Sequence, residues 1–173
     1  MKMYSGMAGL EKRKLQDGFT LVELITVVAI ISLLVVFMTI QVGRTNDDAK
    51  LGIATSFLLG NVPSAIGSYK SRHMSSCTNL PDGDASATNS DKKTVTELLH
   101  DRGLVANTPW DVAWTAFYTN SVRQITVDFP TTGSEDVSQA AADLAANVNG
   151  QIQVVKATVN SGNDGVVVIY NCM

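Results

Sequence analysis

An uncharged stretch near the start of the chain restricts its possible folds more than any other feature. The stretch runs for nineteen residues, from Leu24 to Val42. Its polar members are Thr26, Ser32, Thr39 and Gln41. Because one helix of this length and composition can cross a bilayer, we expect the chain to be anchored in a membrane.

Basic residues lie mainly on the amino-terminal side of this stretch. They are Lys2, Lys12, Arg13 and Lys14, and the first basic residue beyond the stretch is Arg44. Since cytoplasmic flanks are enriched in Lys and Arg, this bias places residues 1–18 in the cytoplasm and the bulk of the chain outside it. A secretory signal would end in small residues of the A-x-A type, and residues 35–41 show no such pattern. The stretch is therefore predicted to stay attached to the rest of the chain.

Glu23 is anomalous because it lies directly before this apolar stretch. An ionised acid near hydrocarbon costs about 2.5–3.5 kcal/mol, so the carboxylate needs a cation or a protein interior around it. A cut between Gly18 and Phe19 would create an ammonium group four residues before Glu23. The alternative is a plain single-pass anchor that tolerates the acid, and it leaves Gly18, Phe19 and Glu23 as coincidences.

This constellation resembles the class III leader and the mature amino terminus of type IV pilins. The resemblance rests on Lys12-Arg13-Lys14, on Gly18, and on the sequence from Phe19 to Leu24 that opens the apolar helix. It implies that an inner-membrane prepilin peptidase cuts after Gly18 and that the new amine of Phe19 is N-methylated. It further implies that Phe19, Glu23 and Leu24 act in filament assembly. The chain would then consist of a leader at 1–18, an apolar helix at 19–43 and a globular domain at 44–173.

Beyond Val42 the apolar residues form a stripe with helical spacing. The stripe consists of Leu51, Ala54, Leu58, Val62, Ala65 and Tyr69. Intervals of three and four residues predict one long helix from about Thr20 to His73. Pro63 should bend it near residues 59–63, because proline removes a backbone hydrogen bond. The polar residues 74–93 that follow predict an exposed loop.

Two short helices are predicted in the rest of the chain. One runs from Thr94 to Arg102, and the other ends at Asn147 after a capping box formed by Thr132 and Glu135. Its alanine-rich sequence, together with residues 127–133, resembles the type IVb pilins, whereas the start at Phe19 resembles type IVa.

Three strands are predicted at Gln124–Phe129, Gln151–Val159 and Val166–Tyr170, the last two as an antiparallel hairpin. Trp110, Trp114, Phe117 and Tyr118 are expected to fill most of the aromatic core. The predicted fold class is therefore α+β, with a long amino-terminal helix packed on a small antiparallel sheet. The resemblance implies the same arrangement, the type IV pilin α/β roll.

Cys77 and Cys172 are the two cysteines of a domain that we expect to be exported. Thiols oxidise outside the cytoplasm, so one disulfide is the simplest prediction. The bridge resembles the disulfide that closes the D-region of type IV pilins. A zinc site with His73 and His100 is the alternative, which no C-x-x-C or H-x-x-x-H spacing supports.

The sequence offers little basis for catalysis or cofactor binding. It lacks the G-x-S-x-G, P-loop and G-x-G-x-x-G patterns, and Asp101 beside His100 is better explained as a helix-end pair. Asp82, Asp84 and Asp91 in the polar loop lack the glycine and final glutamate of a calcium-binding EF-hand. The net charge of −3 gives no basic footprint for nucleic acid. We expect neither enzymatic activity nor a metal or cofactor.

The expected function is that of a pilin held in the bacterial inner membrane and then polymerised into an extracellular filament. Its expected partners are the membrane, the prepilin peptidase, the pilus assembly machinery of the inner membrane, and further copies of itself. The alternative is a minor pilin or a pseudopilin that acts as a membrane-anchored binding module or a secretion-system component.

Overall fold

The computed structural model describes residues 20–172 and their side chains, apart from the side chains at 40–45. The chain divides into two units, the first ending at Ile40 and the second beginning at Gln41. The described part of the first unit is helical, and the second unit contains a sheet and the hydrophobic core. The predicted α+β class is confirmed.

Three helical segments follow one another without a loop. Helix α1 comprises Leu21–Ser56, a π-helical turn covers Phe57–Asn61, and helix α2 comprises Val62–Arg72. In the π-helical turn the backbone N–H of Val62 donates to the carbonyl of Phe57, five residues earlier. The prediction of one long helix from about Thr20 to His73 is confirmed, since helical backbone runs from Leu21 to Arg72, and the π-helical turn overlaps residues 59–63, where Pro63 was expected to disturb the helix. The irregularity immediately precedes Pro63, which has no N–H to continue an α-helical ladder.

Four antiparallel strands form one sheet in the order β1-β2-β4-β3. Strand β1 comprises Thr115–Thr119, β2 Gln124–Pro130, β3 Val154–Val159 and β4 Gly165–Asn171. The predicted hairpin is confirmed as the β3–β4 pair. Strand β1 was not predicted, and it places Ala116 and Tyr118 inward while Phe117 points to the half-buried side. Phe117 is thus no core residue, contrary to the prediction.

Strand β3 starts later than its sequence suggested. The apolar alternation predicted a strand from Gln151, but Ile152 lies before the strand with its side chain fully exposed, at 103%. A register shift between Val154 and Lys156 brings Val154 and Ala157 to the buried side together. The bulge, rather than strict alternation, therefore fixes the orientation of this strand.

One face of the sheet carries the core. Alternate residues of β2 and β4 point into it, namely Ile125, Val127, Phe129, Val166, Val168 and Tyr170. The helical stripe predicted from Leu51 to Tyr69 is buried from Ala54 onward, while Leu51 is half-buried. The ring of Phe57 lies 5.6 Å from the rings of both Trp114 and Phe129, measured between centroids. Aromatic packing thus joins the π-helical turn to the sheet.

The two short helices begin at side-chain caps. Helix α3 comprises Val95–His100, and its Thr94 and Glu97 form a reciprocal capping box. Helix α4 comprises Val137–Val148 and is capped by Asp136, whose carboxylate accepts from the N–H of Gln139. The predicted capping box of Thr132 and Glu135 is wrong. The Glu135 N–H that it required donates instead to Asp47, at 2.9 Å.

Side chains and loops cover the outer strands of the sheet. Thr96 Oγ1 accepts from the N–H of Ala116 at 2.8 Å and donates to the carbonyl of the same residue at 3.3 Å. In the polar loop, Gly83 N–H donates to the carbonyl of Tyr118 at 3.1 Å. At the opposite edge, the N–H of Ala157 in β3 donates to Asn149 Oδ1 at 3.2 Å. Both edge strands therefore use outward backbone groups within the chain.

Candidate processing and assembly segment

Thr20 and Glu23 form a reciprocal capping box at the start of α1. The backbone N–H of Thr20 donates to Glu23 Oε2 at 2.9 Å, and the Thr20 hydroxyl donates to the same oxygen at 3.0 Å. The N–H of Glu23 donates to Thr20 Oγ1 at 3.3 Å. The conformation of a single chain thus gives the carboxylate two donors and starts the helix at Leu21.

Thr20 is a functional candidate that sequence analysis missed, although the T-x-x-E spacing of a capping box was visible. Gly18 and Phe19, the residues predicted for cleavage and methylation, lie outside the described residues, as does the whole predicted leader. The pairing of the Phe19 amine with Glu23 therefore stays a prediction.

The residues after Glu23 present an apolar surface on every side of the helix. The segment Leu21–Thr39 has a mean hydropathy of 2.8, and none of it is buried within the chain. Leu24, predicted to act in assembly, is 60% exposed. The hydroxyls of Thr26, Ser32 and Thr39 each donate to the carbonyl four residues earlier, at 2.7 Å. The polar groups of these side chains are thereby satisfied inside the helix, as hydrocarbon requires.

A second helical stretch, Asn46–Arg72, is also long and apolar enough to pass a test for membrane spans. Part of this stretch is buried in the chain, and it supplies the core residues Ala54, Leu58 and Val62. This burial is typical of the core helix of a globular domain.

Residues 13–39 match the family described as the prokaryotic N-terminal methylation motif. The chain carries the leader of a type IV pilin-like prepilin. The match covers Arg13 and Lys14 before the predicted cut, the cut itself and the apolar helix as far as residue 39, so it confirms the family resemblance in this part of the chain. Among curated proteins and among solved structures, no match to the chain was found.

The motif makes the prepilin a substrate for prepilin peptidase and assigns it to the machinery that handles such precursors. The leader and the apolar helix together indicate anchoring in a membrane. The match ends at residue 39 and says nothing of the globular unit.

The second unit of the prepilin is closed by a disulfide between Cys77 and Cys172. It joins the residues just after α2 to those just after β4 and is buried at both ends. The sequence separation is 95 residues, which encloses the polar loop, α3, α4 and the whole sheet. The bridge therefore fastens the last strand to the loop that follows the helix.

The residues considered for metal binding have other partners. His73 stacks on Tyr69 with ring centroids 4.1 Å apart, and His100 meets Trp114 edge-on at 5.1 Å. Asp82 accepts from the N–H of Asn120, and Asp84 accepts twice from Ser86. Within residues 20–172, no three His, Cys, Asp or Glu side chains lie together so that they could hold a metal ion.

Asp47 connects α1 to the segment before α4. Its Oδ2 accepts from the hydroxyl of Ser134 at 3.0 Å and from the N–H of Glu135 at 2.9 Å. These donors, the Glu135 N–H foremost, hold the pKa of the Asp47 carboxyl below its usual value. Gly133 precedes them, and a Cβ there would lie 2.7 Å from Trp110. No motif predicted this contact, since Ser134 and Glu135 lie 87 and 88 residues after Asp47 in the sequence.

Tyr170 holds the π-helical turn against the sheet. Its hydroxyl donates to the carbonyl of Leu58 at 2.8 Å, and the side chain is 1% exposed. Burial raises the pKa of Tyr170, so the hydroxyl stays protonated as a donor. In a regular α-helix the N–H of Val62 would donate to this carbonyl, but here it donates to the carbonyl of Phe57. The next N–H that a π-helix would offer belongs to position 63, which is proline.

Proposed function

We propose that this prepilin is the structural subunit of a type IV pilus. In this proposal prepilin peptidase removes the leader at Gly18, the apolar helix stores the subunit in the inner membrane, and the assembly machinery polymerises it into an extracellular filament. The observation that carries the proposal is the methylation motif at residues 13–39 together with a wholly exposed apolar helix. The role is structural and includes no catalytic step.

The exposed apolar helix supports polymerisation because it has no cover within its own chain. In lipid its side chains contact acyl chains, and in a filament they would contact the helices of neighbouring subunits. Lipid is as apolar as leucine, so packing would drive the exchange rather than removal from water. A repeated head-to-tail contact of this kind does not close and so produces a fibre.

Glu23 would set the register of the incoming subunit. The Thr20 box satisfies its carboxylate without any charge from another residue. After the cut, the Phe19 ammonium becomes available to Glu23 of the same chain or of a neighbour. The two hydrogen bonds from Thr20 do not neutralise the carboxylate, and a buried charge without an opposite charge beside it costs several kcal/mol, so a subunit docked out of register would be disfavoured.

Intact mass and amino-terminal sequencing of sheared surface fibres test the proposal. We expect fibres that consist mainly of this polypeptide, starting at a methylated Phe19. Fibres in which the chain is a trace component would instead support the alternative of a minor pilin or a pseudopilin. A different amino terminus would refute the processing step.

Glu23→Ala tests the role of the acid. We expect normal membrane insertion and a strong loss of fibres, since the carboxylate that fixes the register is gone. Glu97→Ala is a matched control, because it breaks a capping box of the same type at α3, with a donor distance of 2.7 Å to the Thr94 N–H. Equal fibre yields from the two variants would show that Glu23 acts only as a helix cap.

A further inference from the structure

An apolar groove lies between helix α2 and the start of strand β3. Leu59, Pro63 and Ile66 line its helical side, and Ile152 and Tyr170 line the other side. Its volume of about 420 Å³ lies within the range of binding clefts, roughly 300–1,000 Å³. Lys70 is the one charged residue that lines it among the described residues. The groove can therefore take an apolar partner without desolvating a carboxylate.

Two helical glycines form part of the groove wall, although the packing of the single chain does not require glycine at either position. A Cβ added at Gly60 or at Gly67 would meet no atom within 4 Å. Glycine destabilises a helix relative to alanine, and alanine would fit at both positions, so the stability of the single chain does not require glycine there. Both residues are exposed, and they leave the helix backbone open to close approach from outside.

Ile152 adds an apolar rim at the other side. Its side chain is fully exposed, and the groove begins beside it. A large aliphatic side chain in this position is stabilised by no contact of the single chain. The rim and the glycine wall together match the shape that an apolar helix needs, a trough with a flat wall on one side.

The same chain carries an uncharged helix with the matching pattern. Ile30, Leu33, Leu34 and Phe37 have the i, i+3, i+4 and i+7 spacing by which a helix inserts one row of side chains into a groove. These four side chains are between 54% and 72% exposed. No formal charge lies between Leu24 and Val42, and the groove, whose lining includes the polar residues Ser64, Lys70, Gln153 and Asn171, contains no carboxylate among the described residues, so the two surfaces can meet without burying a negative charge.

We propose that this groove binds the apolar helix of a second copy of the chain, with the row Ile30, Leu33, Leu34 and Phe37 seated between α2 and Ile152. The inference rests on the proposed function and deepens it, since it assigns the globular unit a specific contact in the filament. It makes Gly60 and Gly67 assembly residues. Each copy offers both a groove and a helix, so the contact is heterologous and repeats along a fibre.

Gly67→Ala and Gly67→Leu test the groove in the full-length chain. In detergent, both variants should unfold at the wild-type temperature or above it, because a Cβ at position 67 meets no atom within 4 Å and both alanine and leucine favour a helix over glycine. The leucine side chain would occupy the groove and should lower the yield of sheared fibres about tenfold, the factor expected for overpacking one contact. Alanine should have a much smaller effect.

Ala142→Leu is the matched control, an exposed small residue on α4 that lies away from the groove. It should leave the fibre yield near that of the wild type. A Gly67→Leu yield equal to that of Ala142→Leu, in cells whose wild-type fibres contain the chain, would overturn the inference alone. Wild-type fibres that lack the chain would overturn the proposed function and this contact with it.

Cross-linking identifies the occupant. A chain with Phe37→Cys and a chain with Ile152→Cys are expressed in the same cell, and fibres are oxidised and run on a non-reducing gel. We expect a covalent dimer, since the native cysteines are already paired with each other. Phe37→Cys with Val122→Cys, at an exposed valine outside the groove, should give no dimer beyond the one that two Phe37→Cys chains form in cells expressing that variant alone. Equal dimer from both pairs, or a cross-link from Ile152→Cys to another polypeptide, would refute the assignment.

Discussion

Tyr170→Phe should destabilise the globular unit out of proportion to the one atom it removes. The hydroxyl is the donor to the Leu58 carbonyl, which the π-helical turn has separated from the N–H of Val62. Leu58 is fully buried, so little water is available to replace the lost donor. Phenylalanine retains the ring and its packing, and the change isolates the hydrogen bond.

The magnitude follows from the cost of a buried carbonyl left without a partner, about 1–3 kcal/mol. For a chain of this size, each kcal/mol lowers the melting temperature by about 2–4 °C. Thermal unfolding of the full-length chain in detergent, followed by near-ultraviolet circular dichroism, measures the shift. Tyr118→Phe is the control, because its hydroxyl has only a 3.4 Å contact to Asn120 Oδ1. We expect Tyr118→Phe to cost less than about 1 kcal/mol.

A double-mutant cycle with Pro63→Ala tests the cause. Alanine restores an N–H at position 63, which can donate to the carbonyls of the turn that proline leaves without a backbone partner. Tyr170→Phe should therefore cost less in the Pro63→Ala background than in the wild type. Additive effects of the two changes, or a Tyr170→Phe loss no larger than that of Tyr118→Phe, would refute this account of the turn.

Three further predictions concern the globular unit and are measured by unfolding of the full-length chain at different pH or redox conditions. Asp128→Asn should stabilise at pH 7, because burial foremost, with a smaller contribution from the Asp164 charge, raises the pKa of Asp128 in spite of a hydrogen bond from Asn160 that lowers it. The wild-type chain loses stability as pH rises through the raised pKa, so the advantage of the variant should vanish below about pH 4. Asp47→Ala should cost about 1–2 kcal/mol at pH 7; its contribution is present above the ordinary carboxyl pKa and fades as pH falls through the lowered one, and a loss that persists at pH 2 would contradict the mechanism. Reduction of Cys77–Cys172, which closes a separation of 95 residues, should cost roughly 4–5 kcal/mol in the chain-entropy model, and an unchanged melting temperature would show that other contacts hold the last strand.

Periodic and local signals in the sequence predicted the elements that depend on them. The stripe from Ala54 to Tyr69 is buried because its intervals follow the helix, and the β3–β4 hairpin forms because its apolar strands flank a polar turn. Strand β1 was overlooked because Ala116 and Tyr118 form too short an alternation. The Thr132 and Glu135 box failed because a distant residue, Asp47, competes for the same N–H.

In the assembly segment, sequence reasoning found Glu23 through its unfavourable location and missed Thr20 as its partner. A charged residue beside an apolar stretch can be recognised from the sequence, because only its neighbouring residues need to be known. The hydrogen bond from Tyr170 to Leu58 joins residues 112 positions apart. The Leu58 carbonyl needs this donor only once the π-helical turn has formed. Contacts of that kind depend on the folded backbone and leave no local pattern.

The hydrogen bonds made by the two edge strands affect how copies of the chain can associate. Outward backbone groups of both edge strands already form hydrogen bonds within the chain: those of Ala116 with Thr96, of Tyr118 with Gly83, and of Ala157 with Asn149. A strand from a second molecule meets competition for those groups, which disfavours amyloid-like stacking and strand exchange between stored copies. Copies would then join through side-chain surfaces, and such joints can come apart without either molecule unfolding.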